Sequence, residues 1–213
     1  MSEKPVIVYG ASGYTGRLIC EYLRDYNVPF VAAGRDTGKL DASMGSNVAG
    51  IETAHYEVAE VTHDVESLTE LFKGASVVCN TVGPFSRYGP EVVEACLAAG
   101  VHYIDTTGEQ DWLITCDEQY GADFASAGLL LSPRVAQIYT TGEIAAQPCL
   151  EKPGLDTLDI AVFWGGSPTI ASTQTILFNA ALTDAHYLEQ NTYVPFDPEA
   201  LPGSRRRSPG SDR

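Results

Sequence analysis

The chain has 213 residues, enough for one domain of about 150 residues and part of a second. Its 28 acidic residues outnumber 13 basic ones, and the formal charge of −15 disfavours nucleic acid and anionic membrane surfaces as partners. Five cysteines (Cys20, Cys79, Cys96, Cys116 and Cys149) are odd in number and form no C-x-x-C pair, which argues against a disulfide framework and a zinc site.

In chain order, Val6-Ile7-Val8-Tyr9 follows Pro5 and reads as a buried parallel strand. Gly10-Ala11-Ser12-Gly13-Tyr14-Thr15-Gly16 then leads into a helical pattern from Arg17 to Leu23. Strand, glycine turn and helix together make a phosphate cradle. Gly10 permits the tight turn, Gly13 lets the backbone approach a pyrophosphate, and Gly16 lets helix and strand pack closely. The N–H groups around Ser12, Tyr14 and Thr15 face the anion.

The second strand, residues 29–33, ends in Gly34-Arg35-Asp36. An acidic residue near this point serves the ribose 2′-OH of NAD, whereas a guanidinium suits a 2′-phosphate. Arg35 therefore favours NADP over NAD, while Asp36 either serves a 2′-OH or begins the next helix. Residues 37–44 read as a short helix or loop and 54–58 as a third strand. Asp64 is a suitable N-cap for a helix over 65–72, which Gly74 closes. A fourth strand spans 76–82 and ends in the turn Gly83-Pro84-Phe85-Ser86-Arg87-Tyr88-Gly89. Pro90 is expected at the first position of the next helix, which runs through Ala99 to Gly100. A fifth strand over 101–105, a helix around 111–127 and a sixth strand over 129–131 complete the alternation.

Such alternation with short connections predicts a doubly wound parallel sheet, with ligands beyond the carboxyl ends of its strands. The tips that matter are then residues 10–16, 34–36, 80–88 and 105–109. Beyond this unit, residues 155–164 alternate as a strand would, and 172–187 suit a helix. From Asp197 the sequence is rich in Pro, Gly, Ser and Arg. The expected organisation is a dinucleotide-binding domain over 1–150, the start of a second α+β domain over 151–196 and a disordered tail over 197–213. No signal peptide or run of about 20 apolar residues appears, so a cytoplasmic location without a membrane span is expected.

Four blocks taken together resemble the saccharopine dehydrogenase-like oxidoreductases, which include saccharopine reductases and trans-acting enoyl reductases. They are Gly10–Gly16, Ala33-Gly34-Arg35, Asn80 to Gly89 and His102-Tyr103-Ile104-Asp105-Thr106-Thr107-Gly108-Glu109. The resemblance implies an NADP-binding Rossmann domain followed by a substrate and dimerisation domain, with a homodimer in the full-length form. Family members are commonly close to twice this length, so a truncated product is expected. Ser132-Pro133-Arg134-Val135 stands where the family tends to carry a glycine-rich, Asp-containing segment, which leaves the usual substrate open.

Hydride transfer relies on the nicotinamide, so the protein mainly positions it and handles a proton. Gly83, Pro84 and Phe85 either wall the nicotinamide or form a plain strand–helix turn. Asn80 and Thr81 either bind a ribose or satisfy local backbone groups. Tyr88 is a candidate proton donor or an ordinary turn tyrosine. Asp105 and Glu109 either orient substrate or water, or serve as local caps. The four histidines have no metal-ligand spacing, and neither G-x-S-x-G nor Tyr-x-x-x-Lys occurs. The expected function is NADP-dependent oxidation or reduction of a small-molecule or lipid-type substrate. The alternatives are a non-catalytic NADP(H)-sensing module and an inactive truncated fragment.

Overall fold

The computed structural model describes residues 5–154, 160–161, 163, 165–182, 186–189 and 192–195. Its first unit alternates β1 (Val6–Tyr9), α1 (Tyr14–Asp25), β2 (Phe30–Gly34), α2 (Thr37–Asn47), β3 (Tyr56–Glu60), α3 (Val65–Phe72), β4 (Val77–Asn80), α4 (Phe85–Ala99) and β5 (His102–Asp105). α5 (Gln110–Thr115), α6 (Gly121–Ser126) and β6 (Leu131–Ser132) follow. The six strands form one parallel sheet in the order β3-β2-β1-β4-β5-β6. Order reverses between β1 and β4, which places a crevice at their carboxyl ends.

Strand pleating sends alternate residues of β1 to opposite faces. Ile7 and Tyr9 join Leu68, Phe72, Val92, Val93, Trp112 and Phe124 in one apolar cluster. Val8 joins Phe30, Leu40, Met44 and Cys20 in the other. Both faces are covered, which explains why β1 and β4 read as continuous apolar runs.

Several boundaries differ from the sequence reading. β2, β3 and β6 begin one or two residues later than expected. Pro90 is not the first residue of its helix: α4 starts at Phe85 and carries Pro90 inside. The Glu109 carboxylate accepts hydrogen bonds from Phe85 N and Ser86 N, capping a turn that the nearby sequence gives no sign of. The helix expected around 111–127 is an unbroken helical run over 110–126, in which a π-helical turn (Cys116–Tyr120) joins α5 to α6. α7 (Gln137–Leu150) and α8 (Ile170–Leu182) come next, then β7 (His186–Glu189) and β8 (Thr192–Pro195), an antiparallel pair. The helix expected through Tyr187 therefore ends at Leu182. The Gln110 side chain donates to His186 O and accepts from His186 N, pairing with that backbone as a strand would. The strand expected over 155–164 lies largely outside the described residues, and the tail over 197–213 lies wholly outside them.

Two packing features make predictions. A Cβ at Gly89 would lie 2.4 Å from the ring of Trp112, which is held by a hydrogen bond from Nε1 to Asp105. Gly89→Ala, which ordinarily favours a helix, should here cost about 2 kcal/mol, read as a fall of roughly 6 °C in Tm. Cys20, Cys79, Cys96 and Cys116 are buried and Cys149 is exposed. Burial pushes the Cys20 and Cys79 thiols up to about 12, against thiolate formation. An aromatic disulfide reagent at pH 8 should modify one thiol rapidly in the native chain and the other four only after denaturation.

Candidate cofactor site

The cradle is built from backbone constraints. Gly10 has φ of +88°, and a Cβ there would lie 2.7 Å from Thr81 Oγ1 and 2.8 Å from Val82 Cγ2. A Cβ at Gly16 would come within 2.5 Å of the Gly10 carbonyl oxygen and 2.7 Å of Ala11 Cα. Gly13 N donates to Gly10 O at 2.9 Å, closing the turn before α1. The N-terminus of α1 has no side-chain cap and no acidic residue in its first turn. The first-turn amides, starting at Tyr14, Thr15 and Gly16, thus present donors and a positive dipole end to the crevice. Gly13, Tyr14 and Thr15 are exposed, and Ser12 is half-buried.

At the next strand tip Arg35 is exposed, whereas Asp36 is committed to the helix, its carboxylate accepting from Lys39 N at 2.9 Å. That contact gives Asp36 the helix-start role, one of the two expected for it. Arg35 lines a groove of about 960 Å³ with Glu60, Val61, Thr62, His63 and Ser67 among its other walls. Glu60 accepts from both Thr37 N and Thr37 Oγ1, which holds its carboxyl below the usual range.

His63 was not singled out by its sequence context. Its Nδ1 lies 2.8 Å from the Tyr9 hydroxyl, its ring stacks on Tyr9, and Tyr88 meets it edge-on at 5.5 Å. Its Nε2 is 3.4 Å from Glu91 Oε2. Burial pushes the Tyr9 phenol up to about 12. Tyr88 is thus half-buried in the first turn of α4, facing the β3 side, and is not a residue of an open turn.

Asn80 and Thr81 are used locally. Buried Asn80 donates to Tyr103 Oη and accepts from Val82 N, and Thr81 Oγ1 donates to Tyr9 O. Gly83 and Pro84, joined by a cis peptide bond, stand at the tip of β4, and Phe85 opens α4.

The two carboxylates at the β5 end are interior. Asp105 is 0% exposed and accepts four hydrogen bonds: Thr107 N and Arg134 N to Oδ1, and Tyr103 Oη and Trp112 Nε1 to Oδ2. Burial raises its pKa, while these four donors pull in the opposite direction. Glu109 is 1% exposed, and each carboxylate oxygen takes one α4 amide, at 2.7 and 2.8 Å.

Cations and acids share this edge, with Asp36, Asp64, Glu66 and Asp111 at helix starts and Glu60 ending β3. Arg17, Lys39 and Arg87 lie in the first turns of α1, α2 and α4, and Arg35 and Arg134 follow β2 and β6. Among the described residues, none of these five is paired with a carboxylate. The pairs Arg24–Asp25 and Lys73–Glu70 sit at the opposite helix ends. Cations in a first turn work against the helix dipole, so the fold gains little from them without an anion.

Residues 6–127 match the family model described as the saccharopine dehydrogenase NADP-binding domain. The chain belongs to that family. Its cofactor is NADP. Residues 140–210 match a second model, described only as a family of unknown function (DUF5938). A lipid droplet localized protein of Caenorhabditis elegans is 34% identical over 136 residues, covering 61% of this chain and 32% of that protein. The human saccharopine dehydrogenase-like oxidoreductase is 32% identical over 139 residues, covering 59% and 32%. A Mycobacterium tuberculosis protein carrying the name of a trans-acting enoyl reductase is 33% identical over 128 residues, covering 59% and 30%. The chain spans about a third of the length of these relatives. Apo saccharopine dehydrogenase (L-Glu forming) from Saccharomyces cerevisiae shares the fold, with a TM-score of 0.55 at 14% identity over 70% of this chain and 31% of that one. No helix among the described residues is long and apolar enough to cross a membrane.

Glu109→Gln keeps the size but turns an N–H donor toward one of two α4 amides. It should cost about 2 kcal/mol by removing a buried charged acceptor, and a lower urea midpoint with unchanged slope would show it. An unchanged midpoint would mean that the cap contributes nothing.

Proposed function

We propose that the chain is the NADP-binding part of an oxidoreductase that transfers hydride to or from a small-molecule or lipid-type substrate. The observation that carries this reading is the division of labour at the β2 tip. Asp36 is occupied in capping α2, and exposed Arg35 is left to grip a 2′-phosphate. The glycine cradle would hold the pyrophosphate on the amides of Tyr14, Thr15 and Gly16, with Gly10 and Gly13 allowing its approach. Gly83, Pro84 and Phe85 would wall the nicotinamide, which supplies the hydride chemistry when bound. In this reading Asn80 and Thr81 hold the β4 tip in place from within.

The sequence candidates for catalysis take different roles in the proposal. Asp105 and Glu109 act as positioning residues, because both carboxylates are interior and filled by donors. Tyr88 is the candidate proton donor, since its hydroxyl has no partner among the described residues. We assign residues 1–150 to the cofactor-binding unit and 151–196 to the start of a substrate unit. The sheet ends at Ser132 and the second family model starts at residue 140, which supports a boundary in this region. A cytoplasmic location is proposed on the free state of all five cysteines.

Fluorescence titration with NADPH and NADH tests the reading. NADPH should bind at least tenfold more tightly, equivalent to about 1.4 kcal/mol. Arg35→Ala should bring the two affinities within about threefold while leaving NADH binding unchanged. Equal affinities in the unaltered chain would remove Arg35 from the site. Binding of NADPH without turnover of any carbonyl or enoyl compound would favour a sensing module.

A further inference from the structure

We propose that Arg134 recognises an oxyanion on the substrate, a carboxylate or a phosphate ester, beyond the nicotinamide end of the crevice. The inference rests on the NADP-dependent reading above and concerns a residue to which that reading gives no task.

Arg134 follows β6 at the carboxyl edge of the sheet and holds φ of +68°, a left-handed conformation uncommon for a side chain of this kind. Three contacts fix it there. Arg134 N donates to Asp105 Oδ1 at 3.0 Å, and Val135 N donates to Asp105 O at 2.8 Å. The guanidinium lies over the Tyr139 ring, 3.7 Å from its centroid. Non-glycine residues held in this region persist where the surrounding structure enforces them, and such residues cluster at ligand sites.

The guanidinium is positioned but not neutralised. Its buried Nε has no hydrogen-bond partner, and among the described residues no carboxylate pairs with it. The Asp105 carboxylate takes the Arg134 main-chain amide instead. A stacked guanidinium with its in-plane N–H groups unmatched suits the paired oxygens of a carboxylate or phosphate. Just beyond it, α7 begins at Gln137 without a side-chain cap on its N-terminus and without an acidic residue in its first turn. The same anion would therefore meet the positive end of a 14-residue helix as well.

Position separates this site from the cofactor phosphates. With strands about 4.8 Å apart, β6 lies roughly 19 Å from β2, which carries Arg35, but only about 10 Å from β4, which ends in the nicotinamide wall. The Tyr139 hydroxyl also approaches Gly108 O at 3.5 Å, next to the Glu109 cap of α4. Arg134 thus sits on the nicotinamide side of the crevice, at a distance suited to an acidic group several bonds from the reacting carbon.

The experiment is calorimetric, in buffer free of phosphate and sulfate. The chain is first saturated with NADP+, which fills the cradle and Arg35, and is then titrated separately with glutarate and with glycerol 3-phosphate. The expected result is saturable one-to-one binding of at least one probe, weakened at least tenfold by Arg134→Gln and less by Arg134→Lys. NADP+ affinity should stay within twofold in every variant. Which probe binds assigns the oxyanion to a carboxylate or to a phosphate ester. Arg134→Gly suits the left-handed backbone, so it should keep or raise Tm while losing the probe. This variant separates lost binding from lost folding. Binding unchanged in the Gln and Gly variants, or absent for both probes in the NADP+ complex, would overturn the proposal. Failure of NADP+ itself to bind, seen before any probe is added, would overturn the functional reading and this inference with it.

Discussion

A single buried carboxylate organises the ligand edge of this sheet. Asp105 closes β5 and binds four donors, from Tyr103 in its own strand, the Thr107 turn, Trp112 in α5 and Arg134 beyond β6. An uncompensated charge in that position would be costly, and a carboxylate offers enough lone pairs to receive all four donors. Because those donors come from separate segments, satisfying the charge also fixes where the segments lie. Glu109 repeats the device one turn later, tying the start of α5 to the start of α4. The turn at Gly83–Phe85 and the backbone of Arg134 are both anchored on these interior acids.

The legible parts of the fold are those whose causes are local in sequence. The Gly10–Gly16 turn, the Asp64 cap and the helix-closing Gly100 were readable because strand, turn and helix signals adjoin one another. The start of α4 was not, because its cap comes from Glu109, 24 residues downstream. Pro90 then looked like a helix start, although the helix had already absorbed it at the cost of one bond to the Ser86 carbonyl. His63 was similarly opaque: its partners Tyr9, Tyr88 and Glu91 come from two other elements and meet only in three dimensions. Asp105 and Glu109 were visible as residues that matter, but whether their carboxylates face solvent or interior is decided by packing. Arg134 stood out only as part of a segment unlike its family's, and its left-handed backbone has no signature in the surrounding residues.

The distribution of charge links fold to ligand. Over the whole chain acidic groups dominate, yet the edge carrying the cradle holds five cations unpaired among the described residues. Overall negative potential repels a multiply charged dinucleotide, and cations placed without a carboxylate partner offset that repulsion locally. That offset is electrostatic, so it should weaken with ionic strength.

Among the described residues the sheet ends on β6 at one side and β3 at the other. β6 pairs through only Leu131 and Ser132 before Pro133, so its outer side offers almost no ladder. At the other side β3 is longer, running from Tyr56 to Glu60, and its last carboxylate is taken up by Thr37 N and Oγ1. A sheet open enough to seat a cofactor thus offers an incoming strand, on its β6 side, a ladder of only two residues.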